Sequence, residues 1–172
     1  IMINRRQAIQ LSAGMLAYPA LGLGARAEPT TVRPLQLIER PIPSSKELLP
    51  VIGMGTSRTF DTAGDTESMS RLTEVMQAFF AGQGTVIDSS PMYGRAETRV
   101  GDVLRAMESR PPLFAATKVW TTGEKQGIAQ MEESARRMDV KDFDLIAVHN
   151  LKDWKTQLET LKRWKEEGKV RY

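Results

Sequence analysis

Four residues in this sequence have the types and the spacing to do chemistry together: Asp88, Tyr93, Lys118 and His149. Three of them close apolar runs, with Thr85-Val86-Ile87 before Asp88, Leu113-Phe114-Ala115-Ala116-Thr117 before Lys118, and Leu145-Ile146-Ala147-Val148 before His149. A charged group ending a buried run must be paired or used, because burying it alone is very costly. Singly, each has a plain explanation: an Asp88–Lys118 ion pair between neighbouring strands, and a hydrogen-bonded core histidine at 149. Three in register, with Tyr93 five residues beyond Asp88, favour a reaction centre. A phenol ordinarily keeps its proton up to about pH 10, and a nearby ammonium stabilises the phenolate it leaves behind. Lys118 can supply that ammonium, Asp88 can hold it, and His149 can hydrogen-bond a carbonyl and orient it. A proton donor beside a polarised carbonyl lacks only a hydride source, for which a nicotinamide cofactor is the natural complement. With no cysteine and no cluster of metal ligands, thiolate and metal chemistry have no support, and the metal-site expectation is none.

A repeating strand–helix rhythm must position these groups. Leu35-Gln36-Leu37-Ile38-Glu39, followed by the turn-forming Pro43-Ser44-Ser45-Lys46-Glu47, reads as an N-terminal β-hairpin. It leads into Pro50-Val51-Ile52-Gly53-Met54-Gly55, an apolar run expected to be a strand buried on both faces. Met69, Leu72, Val75, Met76, Phe79 and Phe80 are spaced for a helix from about Asp65 to Gly82 or Gly84. Residues 85–88 make the next strand; Ala96, Val100, Val103, Leu104 and Met107 mark a second helix, and 113–118 a third strand. Ile128, Met131, Ala135 and Met138 mark a third helix, and 143–149 a fourth strand. Trp154, Leu158, Leu161 and Trp164 read as the core face of a fourth helix ending at Gly168, and residues 169–172 open a fifth strand.

Gly55 to Asp88 spans 33 residues, Asp88 to Lys118 spans 30, and Lys118 to His149 spans 31. Such a period fits successive βα units, each crossover helix returning the chain to a parallel strand. The open doubly wound sheet announces a dinucleotide with a three-glycine turn after its first strand. Gly53-Met54-Gly55-Thr56-Ser57-Arg58 lacks the third glycine, and no helix follows at once. The expected fold is therefore α/β, a (β/α)8 TIM barrel with about its first four βα units present. In such a barrel the C-terminal strand ends converge on one mouth, where the chemistry is sited.

The composition, 41% hydrophobic and 26% charged over 172 residues, is that of a soluble globular protein. The net charge of +3 belongs to residues 1–27, which hold Arg5, Arg6 and Arg26 and no acid. The remainder is neutral and carries no basic stripe interleaved with aromatics, so nucleic acid is not an expected partner. Asn4-Arg5-Arg6-Gln7, an Ala/Gly/Leu-rich stretch and Ala25-Arg26-Ala27 are the parts of an export signal cleaved near Ala27. The adjacent arginines resemble a twin-arginine signal, although Ala8 stands where that signal often has Phe. Pro19 and three glycines argue against a permanent membrane anchor. The expected organisation is thus an export signal at 1–27 and a catalytic half-barrel at 28–172, delivered to the periplasm or otherwise exported through that machinery. Ile1 before Met2 reads as a translated piece of a longer frame.

Residues 35–172 resemble the aldo-keto reductases. Gly53-Met54-Gly55-Thr56 is similar to that family's motif after its first strand, and residues 87–94 to the signature holding its catalytic Asp and Tyr. Ala116-Thr117-Lys118-Val119-Trp120 resembles the segment with the catalytic Lys, residues 144–149 the strand with the catalytic His, and residues 168–172 the entry to a fifth strand. The resemblance implies a (β/α)8 barrel reducing a small-molecule aldehyde or ketone with NADPH, NAD being the alternative. It implies Tyr93 as proton donor, tuned by Lys118 and Asp88, with His149 orienting the carbonyl. It places Gly55, Thr56, Ser57 and Asp88 near the cofactor, and Trp120 and Asn150 at the substrate. Ser57 stands where many members have a bulky aromatic, which implies a wider pocket on that side, and Asn150 where many have Trp, so the family's usual substrate anchor is not matched there.

Two other readings stay open: a nucleotide-binding, redox-sensing regulatory barrel with little turnover, and a binding barrel with an incidental tetrad. The oligomeric state is not legible. By the resemblance, four further βα units are expected downstream, and residues 28–172 alone are expected to be inactive and poorly soluble because of open strand edges. Replacing Arg5 and Arg6 by Lys in the complete reading frame is expected to hold the protein in the cytoplasm, as measured by cell fractionation. Unaltered export would remove the twin-arginine assignment.

Overall fold

The computed structural model describes residues 37–172. The leader at 1–27 and the first two residues of the expected hairpin, Leu35 and Gln36, lie outside the described residues. Strands β1 (Glu39–Pro41) and β2 (Leu48–Pro50) pair antiparallel, with Arg40 opposite Leu49. Their turn is closed by Lys46 N–H donating to the Ile42 carbonyl at 2.8 Å, where the turn-forming residues lie in the sequence.

The expected strand over residues 50–55 is shorter than its apolar run. Only Met54–Gly55 forms β3, and Val51 and Ile52 are exposed. Val51 N–H instead donates to the Ile38 carbonyl, so the hairpin claims the first part of the run before the sheet begins.

The sheet runs β3, β4 (Val86–Asp88), β5 (Phe114–Val119) and β6 (Leu145–Val148), all parallel and in chain order. The expected fifth strand begins beside β6: Val170 bridges Phe143 in parallel, and Tyr172 N–H donates to the Asp144 carbonyl at 2.7 Å. A doubly wound sheet reverses its strand order at a switch point, whereas a barrel adds each strand beside the last. The fold is the first four βα units of a (β/α)8 barrel.

Helices α1 (Thr66–Ala81), α2 (Ala96–Ala106), α3 (Glu124–Met138) and α4 (Trp154–Glu166) cover one face. The α1 start is set by Asp65, whose carboxylate accepts from Ser68 N–H at 3.0 Å. Strand alternation sends Ile87, Ala115, Val119 and Ile146 outward to a core with Met76, Val100, Met131, Leu161 and Trp164. The alternate positions, Asp88, Ala116 and Lys118 among them, are left for the barrel interior.

Helix α1 turns its expected apolar face to the core except at Val75, whereas α4 departs further from the face its apolar residues indicate. Val75 is exposed, and in α4 Trp154 and Leu158 are 46% and 40% exposed while Gln157, Thr160, Leu161 and Trp164 are buried. Asn150, Leu151 and Asp153, all left-handed, lead into α4. The Nε2 of buried Gln157 donates to the Gly123 carbonyl at 3.1 Å, while its Oε1 has no partner among the described residues.

Helices α2 and α3 meet where Gly101 lies against the Arg137 carbonyl, a spot that a methyl group would overlap. Gly101→Ala is expected to destabilise by about 1–3 kcal/mol through overpacking, with the better helix propensity of Ala returning at most about 1 kcal/mol. Urea unfolding checks it; an unchanged midpoint would mean that the two helices can part freely.

Candidate active site

Strand β4 ends at Asp88, opposite Ala116, and β5 places Lys118 one residue from its end, opposite Ala147. Neighbouring parallel strands thus bring an acid and an ammonium to one end of the sheet. Lys118 Nζ donates to Asp88 Oδ1 at 2.8 Å and Oδ2 at 2.6 Å, and to the Ser89 carbonyl at 2.8 Å. These three contacts match the three N–H groups of an ammonium. The Lys118 side chain is 17% exposed and that of Asp88 43%, so the lysine lies deeper and the carboxylate opens toward solvent.

Tyr93 returns over this pair on a tight loop. Tyr93 N–H donates to the Ser90 carbonyl at 3.0 Å, and Gly94 takes φ 58°, the left-handed region that favours glycine. A side chain at Gly94 would also run into the Asp61 carboxylate. That carboxylate accepts from Arg95 N–H at 3.0 Å, the main cause holding the Asp61 carboxyl below its ordinary range. The loop then enters α2 through Ala96 N–H donating to the Tyr93 carbonyl at 3.0 Å. Lys118 Nζ stands 5.1 Å from the centre of the Tyr93 ring. With its three protons engaged by Asp88 and Ser89, the ammonium makes no hydrogen bond to the phenol.

His149 is not on the strand, as its apolar run indicates, but opens a 3-10 turn, His149–Leu151, directly after β6. Its ring lies 6.2 Å from that of Tyr93, edge to face at 77°. All four sequence-predicted residues of the tetrad therefore meet at one end of the sheet.

The remaining candidates divide. Gly55 and Ser57 are exposed at the end of β3, next to Asp88 in register. Thr56 is fully buried: its hydroxyl lies 3.0 Å from the Asp88 carbonyl and 2.9 Å from Ser89 Oγ, and its N–H donates to the same carbonyl at 3.1 Å. Its side chain ties the β3 end to the β4 end. Trp120 is half-buried beyond Lys118, its N–H donating to Gln130 Oε1 at 2.6 Å, and Lys152 Nζ lies 3.9 Å from the centre of its ring. Asn150 is exposed in a left-handed conformation.

Three participants escape a reading by residue type. Ser90 Oγ lies 3.2 Å from His149 Nδ1. Lys152 covers Trp120, and Glu97 is buried on α2, where it accepts from Thr117 Oγ1 at 2.7 Å. The only signal for Glu97 is its position on the apolar face of α2, one residue after Ala96. Among the described residues no group of three or more His, Asp or Glu could hold a metal, and no helix is long and apolar enough to cross a membrane.

Residues 51–172 match the sequence model of the Aldo/keto reductase family. The chain belongs to the aldo/keto reductase family. Solved structures of similar fold include an aldo-keto reductase from Klebsiella pneumoniae in complex with NADPH, 23% identical, TM-score 0.64, covering 78% of this chain and 48% of that one. A thermostable aldo-keto reductase in complex with the inhibitor epalrestat is 22% identical, TM-score 0.68, with 79% and 52% covered. A Bombyx mori aldo-keto reductase in complex with NADP is 20% identical, TM-score 0.61, with 80% and 49% covered. The chain thus spans about half the length of the solved aldo/keto reductases it matches. Comparison with curated proteins by sequence gave no match.

In this family member the helix carrying the Tyr93 loop is anchored by a buried acid. Burial is the leading influence on Glu97 and raises its carboxyl above the ordinary value, against the lowering effects of Thr117 and Arg137. A raised folded value means that the folded state holds the proton longer than the unfolded chain, so this carboxyl subtracts stability as pH climbs from the unfolded value through the folded one. Glu97→Gln is therefore expected to gain on the wild type as pH rises above the ordinary carboxyl range, in urea unfolding. A stability difference that does not vary with pH would show that the carboxyl ionises alike in both states.

Proposed function

We propose that this chain carries the proton-donating part of an NADPH-dependent carbonyl reductase acting on an aldehyde or ketone. The observation that carries it is the Lys118–Asp88 pair set beneath Tyr93, with His149 beside the same phenol. Paired charges alone would serve as structure; a phenol and an imidazole converging on them make a site for a carbonyl oxygen.

In this reading Tyr93 Oη gives its proton to the carbonyl oxygen as negative charge develops there. Lys118 stabilises the phenolate left behind, Asp88 and the Ser89 carbonyl keep the ammonium in place, and His149 hydrogen-bonds the same carbonyl oxygen to fix its orientation. Trp120 and Asn150 would border the substrate. The end of β3 fits a flat cofactor ring. Gly55 is exposed, a methyl group there would meet nothing within 4 Å, and Asp88 beside it is half-exposed. Gly55, Ser57 and Asp88 would hold the nicotinamide from this side, with Thr56 securing the strand ends under it. When bound, that group supplies the hydride to the carbonyl carbon. NADPH as the cofactor is supported by the Klebsiella pneumoniae and Bombyx mori relatives, crystallised with NADPH and NADP. The leader's place in this reading is export of the folded enzyme by the twin-arginine route.

The test uses the full-length protein, a panel of aldehydes and ketones, and NADPH oxidation as the readout. Tyr93→Phe is expected to lower kcat by about 10²- to 10⁴-fold, the range for losing a positioned proton donor, while NADPH still quenches protein fluorescence. Tight NADPH binding without hydride transfer in a single turnover would replace this reading with that of a redox-sensing barrel.

A further inference from the structure

Ser90 is fully buried in the loop between β4 and Tyr93, and its hydroxyl has two neighbours. Met92 N–H donates to Ser90 Oγ at 3.3 Å, and His149 Nδ1 lies 3.2 Å away on a different element. A neutral imidazole carries its proton on one nitrogen and accepts on the other, and the partner at one nitrogen decides which. The direction of the Ser90–His149 bond follows from counting donors. If Nδ1 carried the proton, Ser90 Oγ would receive both Nδ1–H and Met92 N–H, leaving its own buried proton with no other acceptor among the described residues. Buried polar hydrogens left unmade are rare and costly. With the proton on Ser90 every group is satisfied: Met92 N–H donates to Ser90 Oγ, and Ser90 O–H donates to Nδ1.

We propose that Ser90 is a positioning residue whose hydroxyl donates to His149 Nδ1, locks the neutral ring in its Nε2–H form, and so makes Nε2 the donor to the substrate carbonyl. The inference rests on the reading of His149 as the group that orients the carbonyl. It adds a second duty to the Tyr93 loop. The segment that brings in the proton donor also sets which nitrogen of the neighbouring histidine can donate. Ser90 N lies directly after the residue whose carbonyl Lys118 holds, so both partners of the carbonyl are referenced to one short stretch of backbone.

The tautomer can be read without turnover, from the ring nitrogens of His149. In full-length protein labelled with 15N-histidine, with the His149 signal assigned by its loss in His149→Gln, Nδ1 is expected to resonate as an unprotonated acceptor and Nε2 as a protonated donor at neutral pH. Ser90→Ala is expected to give a mixture of the two forms, and to lower kcat about tenfold, the value of one hydrogen bond, with the KM for NADPH unchanged. Wild-type protein with the proton on Nδ1 would overturn the proposal, and that spectrum decides it even if the variant does not fold. So would a Ser90→Ala protein with one Nε2–H form and full activity. A protein with the expected tautomers that reduces no carbonyl would uphold the hydrogen bond and remove the carbonyl role, separating this inference from the function it builds on.

Discussion

The ammonium of Lys118 is the constraint around which the rest of the described structure is arranged. A lysine set this deep at the end of a parallel strand needs its protons met and its charge answered. Asp88 on the neighbouring strand answers the charge, and the Ser89 carbonyl meets the remaining proton. That requirement ties β4 to β5 at one register and obliges the chain to leave β4 by way of Ser89 with its carbonyl turned back. The position of Tyr93 follows, because only a short, tightly wound loop separates Ser89 from the phenol. Thr56 adds the third strand to the same knot through the Asp88 carbonyl and Ser89 Oγ.

The opposite side of β5 carries a second polar arrangement that supports the first. Thr117 points away from the barrel interior and donates to Glu97 on α2, while the next residue, Lys118, points to the mouth. Because α2 begins three residues after Tyr93, fixing its first turn also fixes the exit of the Tyr93 loop. One strand thus borders the Tyr93 loop twice, through Lys118 near the ring on one face and through Thr117 and α2 on the other. The two contacts lie on opposite faces of β5: Lys118 at the strand-end cluster, Thr117 and Glu97 between the sheet and α2.

Much of the fold was legible without coordinates. The near-constant spacing of Gly55, Asp88, Lys118 and His149, with apolar strands and amphipathic helices between, specifies parallel βα units, and all four helices and the main strands lie where that pattern places them. The errors have a common cause. Val51 and Ile52 read as a buried strand but lie outside it, and Trp154 and Leu158 read as core but face outward. In both places backbone hydrogen bonding and turn geometry, which hydrophobic pattern does not record, determine which side of the chain is covered.

The tetrad itself was a property of the sequence: residue type, order and spacing bring an acid, a phenol, an ammonium and an imidazole to one end of the sheet, because adjacent parallel strands present their C-terminal ends side by side. What only the tertiary structure decided is how those groups are satisfied. Lys118 gives its protons to Asp88 and Ser89 and reaches Tyr93 across 5.1 Å; Thr56 is a buried tie between strands; and His149, one residue past its strand, meets Ser90. These outcomes depend on distances between residues about 30 to 60 positions apart. Local propensity and periodicity act over a turn or a strand, so they can deliver such groups to the same mouth but cannot assign the hydrogen bonds they make there.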